Sequence, residues 1–368
     1  MISLISCTNQ INVFKTATSE SKSYRDTLVY DNNKFIVLPI KVNGETRKMM
    51  FDTGADLVVF PKDSSTSKIK CNLRDANGNV TLCDISPIDC LEIANNNFTG
   101  LFSFKLDLPA PFLCFCDGII GNNVIKSCNW LIDNNKVVFS DNAFDIPNKR
   151  LSLDIFYYGS NRLFSNLEFN GNQLDTCLFD YGGLFDIELS KKYYEKNKES
   201  FYPNKITREI RRSYGANGKT LPDTVLNIDC NINFNGIKID NANIIISNNY
   251  ENRFGVQFLR RFEKIAINNI NGKMLFGNLI DTTKHLQQKC LFSFDLINGF
   301  FVIDSKILDE LKSSKLNVGD KFIEINNRKR TDFKNYCDFL VFKDSLNNSE
   351  YVELKTITNR TINIDNWR

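Results

Sequence analysis

Two aspartates stand where a carboxylate is expensive to place. Phe51-Asp52-Thr53-Gly54-Ala55 lies between Met49-Met50 and Leu57-Val58-Val59-Phe60, and Phe179-Asp180-Tyr181-Gly182-Gly183 lies between Cys177-Leu178 and Leu184-Phe185. Burying an unpaired charge between apolar, strand-like runs is costly, so an acid held there reads as one that is needed. Thr53 and Gly54 suit a tight turn whose N–H groups and hydroxyl hold the carboxylate. The chain has one histidine, His285, beside Leu286-Gln287-Gln288-Lys289, where it reads as a solvated linker residue. Ser-His-Asp and Cys-His mechanisms both need an imidazole, and zinc hydrolases usually need two or three. Acid–base chemistry carried by carboxylates alone survives this elimination, and the two aspartate frames supply it.

A bare Asp-Thr/Ser-Gly triplet would arise by chance in roughly one in six chains of this length, so the frames matter through what surrounds them. They sit inside a longer repeat. Asn43-Gly44 leads through Met49-Met50-Phe51 to Asp52, and Asn170-Gly171 leads through Cys177-Leu178-Phe179 to Asp180. Ala76-Asn77-Gly78 recurs as Ala216-Asn217-Gly218, and each Asn-Gly is a hairpin signal. Gly121 with Val124-Ile125, then Lys136-Val137-Val138-Phe139, recurs as Gly255 with Phe258-Leu259, then Lys273-Met274-Leu275-Phe276. Three anchors in one order mark a duplication. The elements between them read as short strands, with helices near residues 122–126 and 191–199 and a hairpin over residues 130–132 and 137–139.

The frame Met-Met-Phe-Asp-Thr-Gly-Ala-Asp-Leu-Val-Val-Phe resembles the active-site strand and turn of the pepsin/retropepsin-like aspartic peptidases. The resemblance implies a mainly β protein of two duplicated lobes, over residues 29–147 and 148–283, with the active site between them. It implies an aspartic-type endopeptidase whose catalytic pair is Asp52 and Asp180, sharing a proton about one water, with no metal or cofactor. Thr53, Gly54, Ala55, Tyr181, Gly182 and Gly183 would support the pair, and Ala76-Asn77-Gly78 and Ala216-Asn217-Gly218 would lie at the active-site flaps. Thr53 would brace the two turns through its hydroxyl. Relatives often place Ser or Thr where Ala55 and Gly183 stand, its hydroxyl bonding the outer carboxylate oxygen.

This sequence departs from the pattern at Tyr181, in place of Thr or Ser, and at Arg253, in place of an apolar residue before Phe254-Gly255. A tyrosine cannot fill a buried threonine site without rearranging the turn. Three readings follow. The pair works with altered support; the protein is a non-catalytic, lipid-anchored peptide-binding relative; or Asp180 is structural and Asp52 pairs with its copy in another chain.

From Cys290 the pattern changes. Leu316-Asn317-Val318-Gly319-Asp320-Lys321-Phe322-Ile323-Glu324-Ile325-Asn326-Asn327 resembles the core of bacterial PDZ domains, covering residues 289–358. Gly319-Asp320 would make the turn, Phe322, Ile323 and Ile325 would enter the small barrel, and Asn298-Gly299-Phe300-Phe301 would stand in for the carboxylate-holding loop. Ile307-Leu308-Asp309-Glu310-Leu311 reads as a short helix. The resemblance implies either a peptide ligand bound by strand addition or a module that only packs on the rest.

At the other end, Leu4-Ile5-Ser6-Cys7 resembles a bacterial lipobox, with Cys7 as the lipidated residue and residues 8–25 as a polar tether within residues 1–28. That resemblance implies an exported, periplasmic or outer-membrane lipoprotein of a Gram-negative bacterium, touching the membrane through its lipid anchor alone. The alternative is a short apolar N-terminus of no such meaning. Eleven cysteines form no zinc signature, and ten remain for disulfides if Cys7 is lipidated, with Cys177, Cys230 and Cys337 reading as small core residues. A net charge of +3 is too small to argue for nucleic acid. Peptide or protein is the expected substrate and a monomer the expected state.

Overall fold

The computed structural model describes residues 15–21, 23–30, 34–63, 67, 69–74, 80–133, 135–157, 161–215, 218–280, 290–309, 316–346, 349–365 and 367. Strand accounts for 55% of the described residues and helix for 12%, which places the protein in the mainly β class.

The duplication is visible in strand register. In the first half the strand Glu45–Phe51 turns back from Val37–Val42 through Asn43-Gly44, whose φ angles of 50° and 87° are the left-handed pair a type I′ turn requires. Its burial deepens along the chain until Met49, Met50 and Phe51 are wholly enclosed. On its far side runs the parallel strand Gly118–Ile120, with Met50 opposite Ile119, and beyond that Val58–Pro61, with Val59 opposite Ile119. In the second half Asn172–Asp180 turns back from Leu163–Phe169 through Asn170-Gly171 (φ 50° and 75°). Asn252–Gly255 runs parallel to it, with Leu178 opposite Arg253, and Ile187–Ser190 lies beyond, with Glu188 opposite Arg253. Each inner strand thus delivers an aspartate at the same place in the same three-strand arrangement.

A shared sheet joins the halves. Arg25–Val29, Lys136–Ser140, Asn129–Asp133, Lys264–Asn268, Lys273–Phe276 and Leu151–Tyr157 pair antiparallel in that spatial order. Trp130 on this sheet packs edge-on against Phe51, 5.1 Å between centroids, so the sheet forms a floor beneath the first aspartate turn. One hydrophobic cluster runs continuously through both halves. The expected hairpin over residues 130–132 and 137–139 is therefore half of the seam between two duplicates.

Residues 290–367 build a separate core around Phe292, Phe301, Phe322, Ile325, Phe339 and Trp367. Asn298-Gly299 makes the hairpin turn between Phe292–Ile297 and Phe300–Ile307, and the helix Tyr336–Leu346 covers the sheet. Gly319 has φ 101° and Asp320 accepts from the Asn317 N–H at 2.7 Å, so this stretch is a tight turn before Phe322 enters the core. The core continues past residue 358 to Ile364 and Trp367. This module holds both halves. Residues 305–307 pair antiparallel with residues 209–211 of the second half, and Cys337 is disulfide-bonded to Cys114 of the first.

Three expectations need correction. The expected tether over residues 8–25 is not all polar linker: Thr18–Ser19 and Arg25–Val29 are strands, and Ala17, Tyr24 and Leu28 are buried. Ile307 ends a strand instead of opening a helix, because its N–H bonds the Leu291 carbonyl and its backbone faces Glu209. Cys337 is not a small core residue but half of the disulfide, whereas Cys177 and Cys230 are buried thiols. Cys7 and His285 lie outside the described residues.

Candidate active site

Asp180 is the last residue of its inner strand and Asp52 directly follows the end of its own, and in each case the residues that come next turn so that the carboxyl faces the other half. The Gly54 N–H donates to Asp52 Oδ1 at 2.7 Å and the Gly182 N–H donates to Asp180 Oδ1 at 3.0 Å. The two carboxyls converge across these glycines: an ideal Cβ on Gly54 would lie 2.8 Å from Asp180 Oδ1 and 3.1 Å from Asp52 Oδ1. One on Gly182 would sit 2.4 Å from Asp52 Cγ. Only glycine leaves room for the opposite carboxyl to come this close. Asp180 is buried, while Asp52 keeps part of its surface open.

Burial is the main reason that both carboxyls bind protons above the ordinary carboxylate range. Asp52 is raised furthest, because the charge of Asp180 adds to its desolvation. For Asp180 the Arg253 guanidinium offsets part of the burial, with Arg162 helping. This is a pair of coupled acids that resists double ionisation.

Thr53 holds the turns together. It is fully buried, its hydroxyl donates to the Phe179 carbonyl at 2.5 Å, and it accepts from the Tyr181 N–H at 3.1 Å. The reciprocal bond is missing. Tyr181 turns its ring into the core, edge-on to Phe51 at 5.7 Å, and its hydroxyl has no hydrogen-bond partner among the described residues. The tyrosine thus adds packing volume where a second threonine would bridge, and the backbone of its turn is carried by Thr53 from across the interface. Ala55 is half-buried at the turn, and a side chain at Gly183 would have to displace the Phe185 ring, which lies 2.3 Å from where its Cβ would sit.

Sequence reasoning missed several supports. The Asn122 side-chain amide donates to the carbonyls of Thr53 (2.7 Å) and Ala55 (3.0 Å), fixing the first turn from behind. Arg162 makes a two-pronged ion pair with Glu251 at 2.6 and 2.8 Å, and its Nε lies 4.0 Å from Asp56 across the interface. Glu188, buried in an otherwise apolar strand, pairs with Arg253. The one signal for these was Glu188 inside Ile187–Ser190, an acid needing a partner, together with the misplaced Arg253.

Of the residues expected at the hairpin tips, Ala76, Asn77, Gly78, Ala216 and Asn217 lie outside the described residues. Gly218, with φ 101°, pairs with Gly215 at the end of the hairpin whose arms are Pro203–Arg211 and Asp223–Phe234. The first hairpin has arms Ile69–Arg74 and Val80–Ile88, where Cys71 and Cys83 face each other with sulfurs 3.6 Å apart. No protein-family model matches this chain, and none of the curated proteins matches it.

Proposed function

We propose that this protein is an aspartic-type endopeptidase of the two-lobed pepsin/retropepsin-like kind, cutting peptide bonds with Asp52 and Asp180. The observation that carries the reading is the meeting of the two carboxyls, each braced by its own glycine N–H and packed against the glycine of the other turn. Two acids held above their usual range share one proton at neutral or mildly acidic pH. The ionised one takes a proton from a water between them, and the water oxygen attacks the peptide carbonyl. The protonated one donates to the carbonyl oxygen, and the roles reverse as the amine leaves.

Asp180 fills the place that the copy of Asp52 would take in a two-chain arrangement, which favours the pair within one chain. A second reading, a peptide-binding relative without turnover, is favoured by Tyr181, whose unpartnered hydroxyl departs from the usual brace. Mass-spectrometric cleavage of a peptide library separates the two. Wild type should cut and Asp52→Asn should not; a wild type that binds peptides without cutting them establishes the second reading.

The C-terminal module is proposed to be PDZ-like, supported by its Gly319-Asp320 turn and by Phe322 and Ile325 in its core. Part of its Phe300–Ile307 strand is occupied by the chain's own residues 209–211, which favours fastening over capture of free peptide. The Cys114–Cys337 disulfide supports an exported protein in an oxidising compartment, with lipidation at Cys7 as the accompanying proposal.

A further inference from the structure

The duplicates differ most in what lies beside each aspartate's strand. In the first half the cross-strand pair is Val59 and Ile119, both buried and apolar. At the corresponding register of the second half it is Glu188 and Arg253, 2% and 7% exposed. Both members have changed together, from two hydrocarbons to a salt bridge. A buried ion pair is often no more stabilising than apolar residues of similar volume, so stability alone does not explain the exchange.

Its orientation does. One Arg253 nitrogen bonds Glu188, whose other contacts are the Ser247 hydroxyl and the Asn249 amide at 2.7 Å. The other, Nη1, lies 4.0 Å from Asp180 Oδ2, and the guanidinium stacks over the Phe185 ring at 5.0 Å. The positive end of the pair therefore points at one aspartate of the two. Arg162 also faces Asp180, though its charge is shared with Glu251 and Asp56. Arg211 also acts on Glu188, and Glu251 acts on Arg253 as well as on Arg162. Asp52 meets the charge of Asp180 and the buried Cys116 thiol, itself pushed up to about 11 by burial and so uncharged.

We infer that the Arg253–Glu188 pair is a positioning device that keeps the negative charge of the dyad on Asp180 and the shared proton on Asp52. The assignment of roles rests on the peptidase reading; the placement of charge does not. Asp180 takes a proton from water as the water oxygen bonds to the carbonyl carbon. Asp52 gives its proton to the carbonyl oxygen. Asp180 then passes its proton to the amide nitrogen as the C–N bond breaks, and Asp52 recovers a proton from a hydroxyl of the collapsing diol. The dyad returns to its starting charge, with a carboxylic acid and an amine released.

The test converts the second half to the first with Glu188→Val and Arg253→Ile together, alongside Arg253→Lys, which keeps the charge. Carbon-13 NMR titration of aspartate-labelled protein follows each carboxyl, assigned from the Asp52→Asn and Asp180→Asn spectra. In wild type Asp180 should ionise first and Asp52 last. In the double variant Asp180 should ionise at least about one pH unit higher, the usual size for loss of an opposite charge at this range. The acid limb of kcat/KM should move up by the same amount, and Arg253→Lys should keep the wild-type order. A folded double variant with an unmoved Asp180 overturns the inference, as does a wild type in which Asp52 ionises first, whether or not the variants fold. Absence of peptide cleavage would defeat the peptidase reading but leave the titration to decide the charge placement.

Discussion

The first aspartate turn is held by polar side chains and the second by volume and charge. Asn122 ties Thr53 and Ala55 to the strand-to-helix bend behind them, and Thr53 reaches across to the other turn. At the place of Asn122 the second half has Val256, which supplies only its N–H, to the Gly183 carbonyl at 2.9 Å. Tyr181 packs where a hydroxyl bridge would stand, and Arg253 with Glu188 replaces an apolar pair. One backbone geometry has thus been kept by two different sets of side chains. A duplicated site needs its carboxyls and glycines in both copies, whereas bracing delivered from one copy serves both.

That comparison is sharpest at the carboxyls, where the halves should be equal. Asp52→Asn and Asp180→Asn are each expected to lower kcat for peptide cleavage by about 10³-fold or more, since a pair acting as one unit fails when either member is lost. Activity retained in Asp180→Asn alone would break the symmetry and point to Asp52 acting without its partner.

At Thr53 the halves should be unequal. Thr53→Val leaves the Phe179 carbonyl and the Tyr181 N–H unpaired in the core, and should cost about 2–6 kcal/mol at 1–3 kcal/mol per orphaned group, read by chemical denaturation. Loss below about 0.5 kcal/mol would mean that the second turn holds itself.

The residues after each Gly differ in what they permit. Ala55→Ser can offer a hydroxyl to Asp52, and a bond to the charged form lowers that group's proton affinity. The alkaline limb of the pH–rate profile should then move toward acid by roughly one unit, as about 1.4 kcal/mol of such bonding gives. Gly183→Ser should instead destabilise the protein, because Phe185 occupies the space.

Asp52 holds its proton more tightly folded than unfolded, so its ionised form disfavours the fold. That penalty is absent below the ordinary carboxylate range and grows as pH rises toward the folded-state value. Asp52→Asn should therefore raise Tm at pH 7 by about 1–2 °C for ~1 kcal/mol, with the gain shrinking toward pH 3. The smallest effect is expected at Tyr181→Phe, where removing an unpartnered buried hydroxyl should leave stability unchanged or raise it by up to about 1 kcal/mol. A loss there would reveal a partner for the hydroxyl.

Much of the site is legible in the amino-acid sequence. The two aspartate frames, the Asn-Gly turns at 43–44 and 170–171 and the strands they join are short-range features, written in apolar runs and turn residues. Arg253 is legible as a misfit, but its purpose is not, because Glu188 lies 65 residues away and looks like any acid in a strand until the register places it opposite. Asn122 and Arg162 give no signal, since polar residues at turns are common and only their targets distinguish them.

By itself the sequence determined a duplicated, mainly β chain with one apolar-framed carboxylate per copy. Periodicity and turn chemistry depend on neighbours a few residues apart, which a linear reading sees. Tertiary structure alone decided that Thr18–Ser19 and Arg25–Val29 join the sheets, that Thr53 serves a turn 126 residues away, and that Cys114 meets Cys337 across 223 residues. It also decided which aspartate faces a cation. Those outcomes follow from which strands pair and which edges remain open, and no local pattern encodes the partner of a distant strand.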